Sequence, residues 1–106
     1  DGSFILKSVE CYDPILDTWA PVADLSVPRR GVSIGVLNGV MYAIGGYYKS
    51  SLKSVEAYRP SDGLWSPITN MNIGRRRPGV VALDGLLYVF GGIEESDNCT
   101  MEVYDP

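Results

Sequence analysis

The sequence predicts an all-β fold of repeated four-stranded antiparallel sheets, and three observations carry that reading. The first is an internal repeat. Lys7-Ser8-Val9-Glu10-Cys11-Tyr12-Asp13-Pro14 returns as Lys53-Ser54-Val55-Glu56-Ala57-Tyr58-Arg59-Pro60, and more loosely as Thr100-Met101-Glu102-Val103-Tyr104-Asp105-Pro106. Glu10, Glu56 and Glu102 stand 46 residues apart, and the same offset relates Trp19 to Trp65, Arg29 to Arg75, Tyr42 to Tyr88 and Gly45-Gly46 to Gly91-Gly92. A period held without insertion or deletion implies a rigid structural unit. The second is a pair of hairpin dipeptides, Asn38-Gly39 and Asp84-Gly85, each between apolar runs. Both residues of such a turn must accept positive φ, which Asn, Asp and Gly do most readily. The third is the absence of helical periodicity from the whole chain.

Within one period, four strands are expected. Gly31 to Leu37 is small and apolar; Val40 to Ile44 follows the Asn-Gly turn and ends at the double glycine. Ser54 to Tyr58 alternates polar and apolar, as a half-buried strand should, and Pro60 marks its end. After a turn at Asp62-Gly63, a short strand runs from Trp65 to about Ile68. Small residues in the first strand suit a place where neighbouring sheets converge. Proline in the fourth (Pro21, Pro67) confines it to a sheet edge. The first strand is therefore innermost and the fourth outermost. Radial repetition of such a sheet makes a propeller blade.

The residues resemble the Kelch repeat: a double glycine after an apolar strand, Tyr42 or Tyr88 three residues before it, Val-Glu-x-Tyr in the third strand and the later Trp19 or Trp65. Val-Glu-x-Tyr-x-Pro and the positions of Arg29 and Arg75 are most similar to the Kelch-like family, which joins a BTB domain to a six-bladed propeller. The chain divides into the end of one blade (1–30, strands three and four), a complete blade (31–76) and a partial blade (77–106, strands one to three). Propellers close with roughly four to eight blades, so this incomplete propeller, a little over two blades long, is expected to expose blade faces and to self-associate when isolated.

Composition narrows the function. Hydrophobic residues are 45% and charged residues 21%, a globular balance, and a net charge of −4 gives no general reason to bind nucleic acid or an anionic membrane. No run of about eighteen apolar residues suggests a membrane span, and Asp1-Gly2-Ser3 does not read as a signal peptide. Cys11 and Cys99 suit buried free thiols in a reducing compartment, and the sequon Asn98-Cys99-Thr100 is expected to be unused.

Nothing in the sequence points to catalysis or a cofactor. Histidine is absent, which removes the commonest general base and metal ligand; the cysteines lack metal-site spacing. No helix follows the double glycines to build a phosphate site. Glu10, Glu56 and Glu102 recur once per blade, unlike a catalytic pair, and are expected to hydrogen-bond strand-end backbone. Trp19, Trp65, Tyr42 and Tyr88 recur likewise and are expected to pack between blades.

Candidate binding residues lie in two connections at one end of the blade. One follows the double glycine: Tyr47-Tyr48-Lys49-Ser50-Ser51, and later Ile93 to Asn98. The other leads from strand four into strand one: Pro28-Arg29-Arg30, and later Gly74-Arg75-Arg76-Arg77-Pro78. Loops on a rigid scaffold carry function, and Tyr and Arg offer large contact area and forked hydrogen bonds. Arg near Tyr suits an acidic or phosphorylated peptide. The resemblance points to Tyr47, Arg29 and Arg75 on the binding face; Arg30, Tyr48, Lys49, Arg76 and Arg77 are expected on the surface. Arg29 and Arg75 repeat, so tying blades together is their alternative role. Ile93 at the equivalent of Tyr47 departs from the pattern, and Tyr48-Lys49 replaces the family's usual Asp-Gly.

The resemblance implies a non-catalytic, cytoplasmic, substrate-recognition propeller whose BTB domain, absent here, would bind a cullin scaffold for ubiquitylation. The alternatives are a Kelch protein that binds actin or another cytoskeletal partner, and a propeller enzyme.

Overall fold

The computed structural model describes residues 9–92 and 100–106 and is all-β, with eleven strands among the described residues. Strands β1 (Val9–Asp13) and β2 (Thr18–Val22) form a hairpin. The central sheet holds β3 (Ser33–Leu37), β4 (Val40–Ile44), β7 (Val55–Arg59) and β8 (Leu64–Pro67), paired antiparallel in that spatial order. Between them, β5 (Tyr47–Tyr48) and β6 (Ser50–Ser51) make a small ribbon after the double glycine. The third sheet holds β9 (Gly79–Leu83), β10 (Leu86–Phe90) and β11 (Met101–Tyr104).

The turns follow from their residues. Asn38 and Gly39 have φ of 54° and 76°, and Asp84 and Gly85 have 52° and 79°. Positive φ at both central residues is the twist that a two-residue hairpin needs. Pro67 lies in β8, an edge strand, where its missing N–H breaks no ladder. Val40–Ile44 falls where expected, and the other three strands of the central sheet start or end one or two residues away from the sequence expectation. Gly31, expected in the first strand, instead adopts φ 65° just before it.

The two larger sheets stack face to face, with the first strands β3 and β9 in contact. There the small residues matter: a Cβ on Gly35 would stand 2.7 Å from Val80 Cγ1. Leu37, Tyr42, Ile44, Val55 and Ala57 from the central sheet meet Leu87 and Val89 from the third in one apolar cluster. The buried Tyr42 ring meets Tyr104 edge-on at 6.0 Å. Burial, with Tyr104 alongside, raises the Tyr42 phenol above its ordinary pKa, and Arg59 opposes the shift.

The double glycine has a specific reason. Gly45 and Gly46 have φ of 65° and 105°, and the Gly46 N–H donates to the Arg75 carbonyl at 2.8 Å. A Cβ on Gly45 would overlap that carbonyl oxygen. The chain leading into the third sheet thus passes directly over the end of β4, and only glycine leaves room. Gly92 is crowded in the same way by Arg76 and Pro78.

Candidate functional site

The rim around the double glycine is built from Arg30, Tyr47, Tyr48, Lys49, Arg76 and Arg77. Arg30 and Tyr47 exchange backbone hydrogen bonds of 3.0 and 2.7 Å, which join the two connections of the central sheet. Tyr48-Lys49 still makes a tight turn, because Lys49 takes φ 70°. Lys49 Nζ lies 5.3 Å from the centre of its neighbour's ring, Tyr48. Arg76 reaches across from the third sheet's lead-in and lays its guanidinium 4.8 Å from the Tyr47 ring centre. This cation–π contact links adjacent blades at the rim. Arg30, Tyr48, Lys49 and Arg77 are exposed, and Tyr47 and Arg76 are half-buried. The rim gathers cations on a chain whose net charge is −4.

Arg29 and Arg75 are not on this rim. The structure corrects the expectation that they contact a partner: their exposures are 5% and 0%. Arg29 Nε donates to Glu56 Oε2 at 3.1 Å, Nη1 to the Gly45 and Ser54 carbonyls at 2.7 and 3.0 Å, and Nη2 to Ser54 Oγ at 2.9 Å. Nη2 also lies 3.0 Å from Glu56 Oε2. Glu56 Oε1 accepts the Ser26 N–H at 2.8 Å. Arg75 repeats the set one blade on, with Glu102, Gly91 and Thr100 in place of Glu56, Gly45 and Ser54. Glu102 in turn accepts the Asn72 and Ile73 N–H groups. Each guanidinium therefore fastens the lead-in of strand one to the ends of strands two and three. Burying such a charge is tolerable only with this full set of partners.

The aromatic residues divide. Tyr42 is buried between the sheets, and Tyr88 is half-buried. Trp65 stacks on Tyr58 at 5.2 Å, and its Nε1–H donates to the Ala23 carbonyl at 3.0 Å, so it reaches the segment after β2. Trp19 rests on Tyr12 at 5.1 Å and is 65% exposed among the described residues. A hydrogen bond to Asp17, and to a lesser degree burial, raises the Tyr12 phenol pKa.

Sequence reasoning missed Ser54 and the Ala23 carbonyl as partners. The offset held part of the signal, because Ser54 and Thr100 are one repeat apart and both carry a hydroxyl. Ile93 to Cys99, with the sequon, and the side chains of Glu10 and Cys11 lie outside the described residues.

The class that the fold defines is a propeller built of repeated sheets. The Kelch motif matches residues 1–26, 28–72 and 74–106, and the chain belongs to that family, as a segment of the Kelch-like kind. Kelch-like ECH-associated protein 1B of Danio rerio is 41% identical over 46 residues, covering 43% of this chain and 8% of that protein. Kelch-like protein 1 of Mus musculus is 51% identical over 45 residues, 42% of this chain and 6% of that protein. The chain matches well under two thirds of the length of these relatives. In fold, it superposes on the structure of YjhT with a TM-score of 0.65 at 24% identity, over 71% of this chain and 24% of that one.

Proposed function

We propose that this segment belongs to the target-recognition propeller of a BTB–Kelch adaptor of a cullin-RING ubiquitin ligase, and that its rim binds an acidic protein segment. The observation that carries the binding reading is Arg76 laid over Tyr47 between adjacent blades, with Arg30 and Lys49 on the same rim. A cation held against an aromatic face is already oriented, so less side-chain entropy is lost when a carboxylate arrives. The mechanism is binding alone, in the cytoplasm, with no cofactor. The cullin contact would belong to a BTB domain elsewhere in a longer chain. The isolated segment is expected to self-associate through Val81, Leu83, Met101 and Val103, which are exposed on one face of the third sheet.

The test is fluorescence polarisation with a labelled nine-residue peptide of alternating Glu and Asp. Changing Arg76 and Tyr47 together to Ala should weaken binding by about tenfold or more, and added salt should weaken the wild type. Equal affinity of the two proteins overturns the rim reading. Co-purification of a cullin with the longer chain tests the adaptor reading separately.

A further inference from the structure

The turn between β3 and β4, Asn38-Gly39, is the single Asn-Gly step in the sequence; Asn70, Asn72 and Asn98 precede Met71, Ile73 and Cys99. An asparagine amide is a latent electrophile, and the peptide nitrogen of the next residue is its nearest nucleophile. Glycine leaves that nitrogen unshielded because it has no Cβ. The third sheet carries Asp84-Gly85 at the same place, one repeat on. The two turns have almost the same backbone, with φ of 54° and 76° at the first and 52° and 79° at the second. The turn therefore accepts an aspartate where Asn38 stands.

The turn is also open. All four residues are exposed, and a Cβ on Gly39 or on Gly85 would meet nothing within 4 Å. Because β3 and β9 are in contact, the first turn has a sheet beside one flank of its blade, and the second turn has a sheet beside the opposite flank. A neighbour on either side thus leaves the turn uncovered, and its exposure does not depend on sheets outside the chain. Among the described residues, nothing accepts from the Gly39 N–H or holds the Asn38 amide. Opening an exposed hairpin tip costs less than opening enclosed strands, so the amide can swing into reach of the nitrogen. The turn lies at the far end of β4 from the double glycine, away from the rim.

We infer that Asn38 is a site of self-deamidation, and that only one of its two products fits the fold. The Gly39 nitrogen attacks Asn38 Cγ. The N–Cγ bond forms, the Cγ–Nδ2 bond breaks, and ammonia leaves with the nitrogen's proton. Water then opens the cyclic succinimide. Opening at Cγ gives aspartate on the original main chain, a copy of Asp84-Gly85. Opening at the main-chain carbonyl of residue 38 gives isoaspartate, in which the chain runs through Cβ and Cγ and is one atom longer. Leu37 and Val40 pair across this turn, and Leu37 is buried in the core. A two-residue hairpin has no slack for an added atom, so isoaspartate pulls that pair out of register. It loosens β3, the strand that meets β9 at the seam. The free α-carboxylate of isoaspartate is a substrate for carboxyl methylation with S-adenosylmethionine as methyl donor. The site does not rest on the acidic-peptide reading.

The 106-residue chain is aged in mildly alkaline buffer beside Asn38→Asp and Asn38→Gly, and the tryptic peptide 31–49 is followed by mass spectrometry. Both replacements suit a left-handed turn, and neither carries the amide. In the wild type, amide-to-acid conversion at Asn38 should outrun that at Asn70 and Asn72 by at least about tenfold. Ion exchange separates the products, and enzymatic methylation of peptide 31–49 marks the isoaspartate. The aspartate fraction and Asn38→Asp should keep the wild-type amide resonances of residues 33–36 and 41–44, and the isoaspartate fraction should lose them. Asn38→Gly, aged identically, should stay unmethylated in that peptide and keep its spectrum. Absent conversion, or equal conversion at the three asparagines, overturns the site. Native resonances in the isoaspartate fraction, or the same loss in aged Asn38→Gly, overturns the claim that the fold rejects one product.

Discussion

Arg29-Arg30-Gly31, which leads into β3, and Arg75-Arg76-Arg77, which leads into β9, are the same segment one repeat apart, and they have drifted unevenly. At the first position nothing has changed. Both guanidinium groups are buried on a glutamate, a hydroxyl and two carbonyls. At the second position the residue type is kept but its surroundings differ: Arg30 is exposed, whereas Arg76 lies on Tyr47. At the third, Gly31 and Arg77 share a left-handed backbone, with φ of 65° and 53°, although Arg77 carries a side chain. That side chain crosses Gly31, where a Cβ would stand 2.8 Å from Arg77 Cγ. The repeat holds fast where partners enclose a group on every side, and varies where one side faces water.

The largest expected effect tests the first position. Arg29→Ala leaves the Glu56 carboxylate buried without its charge partner and should lower the unfolding free energy by about 3–5 kcal/mol. That is a large share of a small domain's stability. Arg30→Ala should change it by less than about 0.5 kcal/mol. Urea unfolding followed by circular dichroism compares the two. If they lost equal stability, the distinction between enclosed and open positions would fail. Arg75→Ala should cost somewhat less than Arg29→Ala, because the Glu102 side chain keeps 16% exposure against 1% for Glu56.

A middle-sized effect separates the tryptophans. Trp65→Ala removes a half-buried ring and a hydrogen bond, and about 2–3 kcal/mol should be lost, below the range for a fully buried aromatic. Trp19→Ala should lose less than about 1 kcal/mol, since most of that ring is already in water. Thermal unfolding of the two variants side by side would show it. Similar losses would mean that Trp19 is enclosed after all.

The smallest effect has the opposite sign. Arg77→Gly relieves a left-handed backbone that costs a side-chain-bearing residue about 1–2 kcal/mol, offset by glycine's greater unfolded entropy, for a net gain of about 0.5–1 kcal/mol. A raised urea midpoint is the expected reading. A lowered one would show that the Arg77 stem, lying across Gly31, contributes more than its backbone strain costs.

Much of the fold was legible because it rests on local rules. Asn38-Gly39 and Asp84-Gly85 specify their turns through φ alone, and Pro67 declares an edge by what it lacks. The alternation along Ser54 to Tyr58 reads as a half-buried strand, whereas Val55, Glu56 and Ala57 are all buried, because Glu56 is enclosed with Arg29. The rim was legible as a neighbourhood, since Tyr47 and Arg76 both fall in connections at the same end of the blade. Arg29 and Arg75 were not legible as buried. A guanidinium reads the same in water or in a core, and the offset alone leaves both roles open.

The sequence by itself determined the period, the strands, the turns and the order of strands in a blade, because these depend on backbone conformation and on the spacing of apolar residues. Only the tertiary structure decided which arginine is enclosed and which is offered at the rim, and which carbonyl the Trp65 indole reaches. Those outcomes depend on carbonyls, hydroxyls and rings tens of residues away. The energy of a charge or an aromatic ring is set by what surrounds it in space, and that is complete only when neighbouring sheets have met.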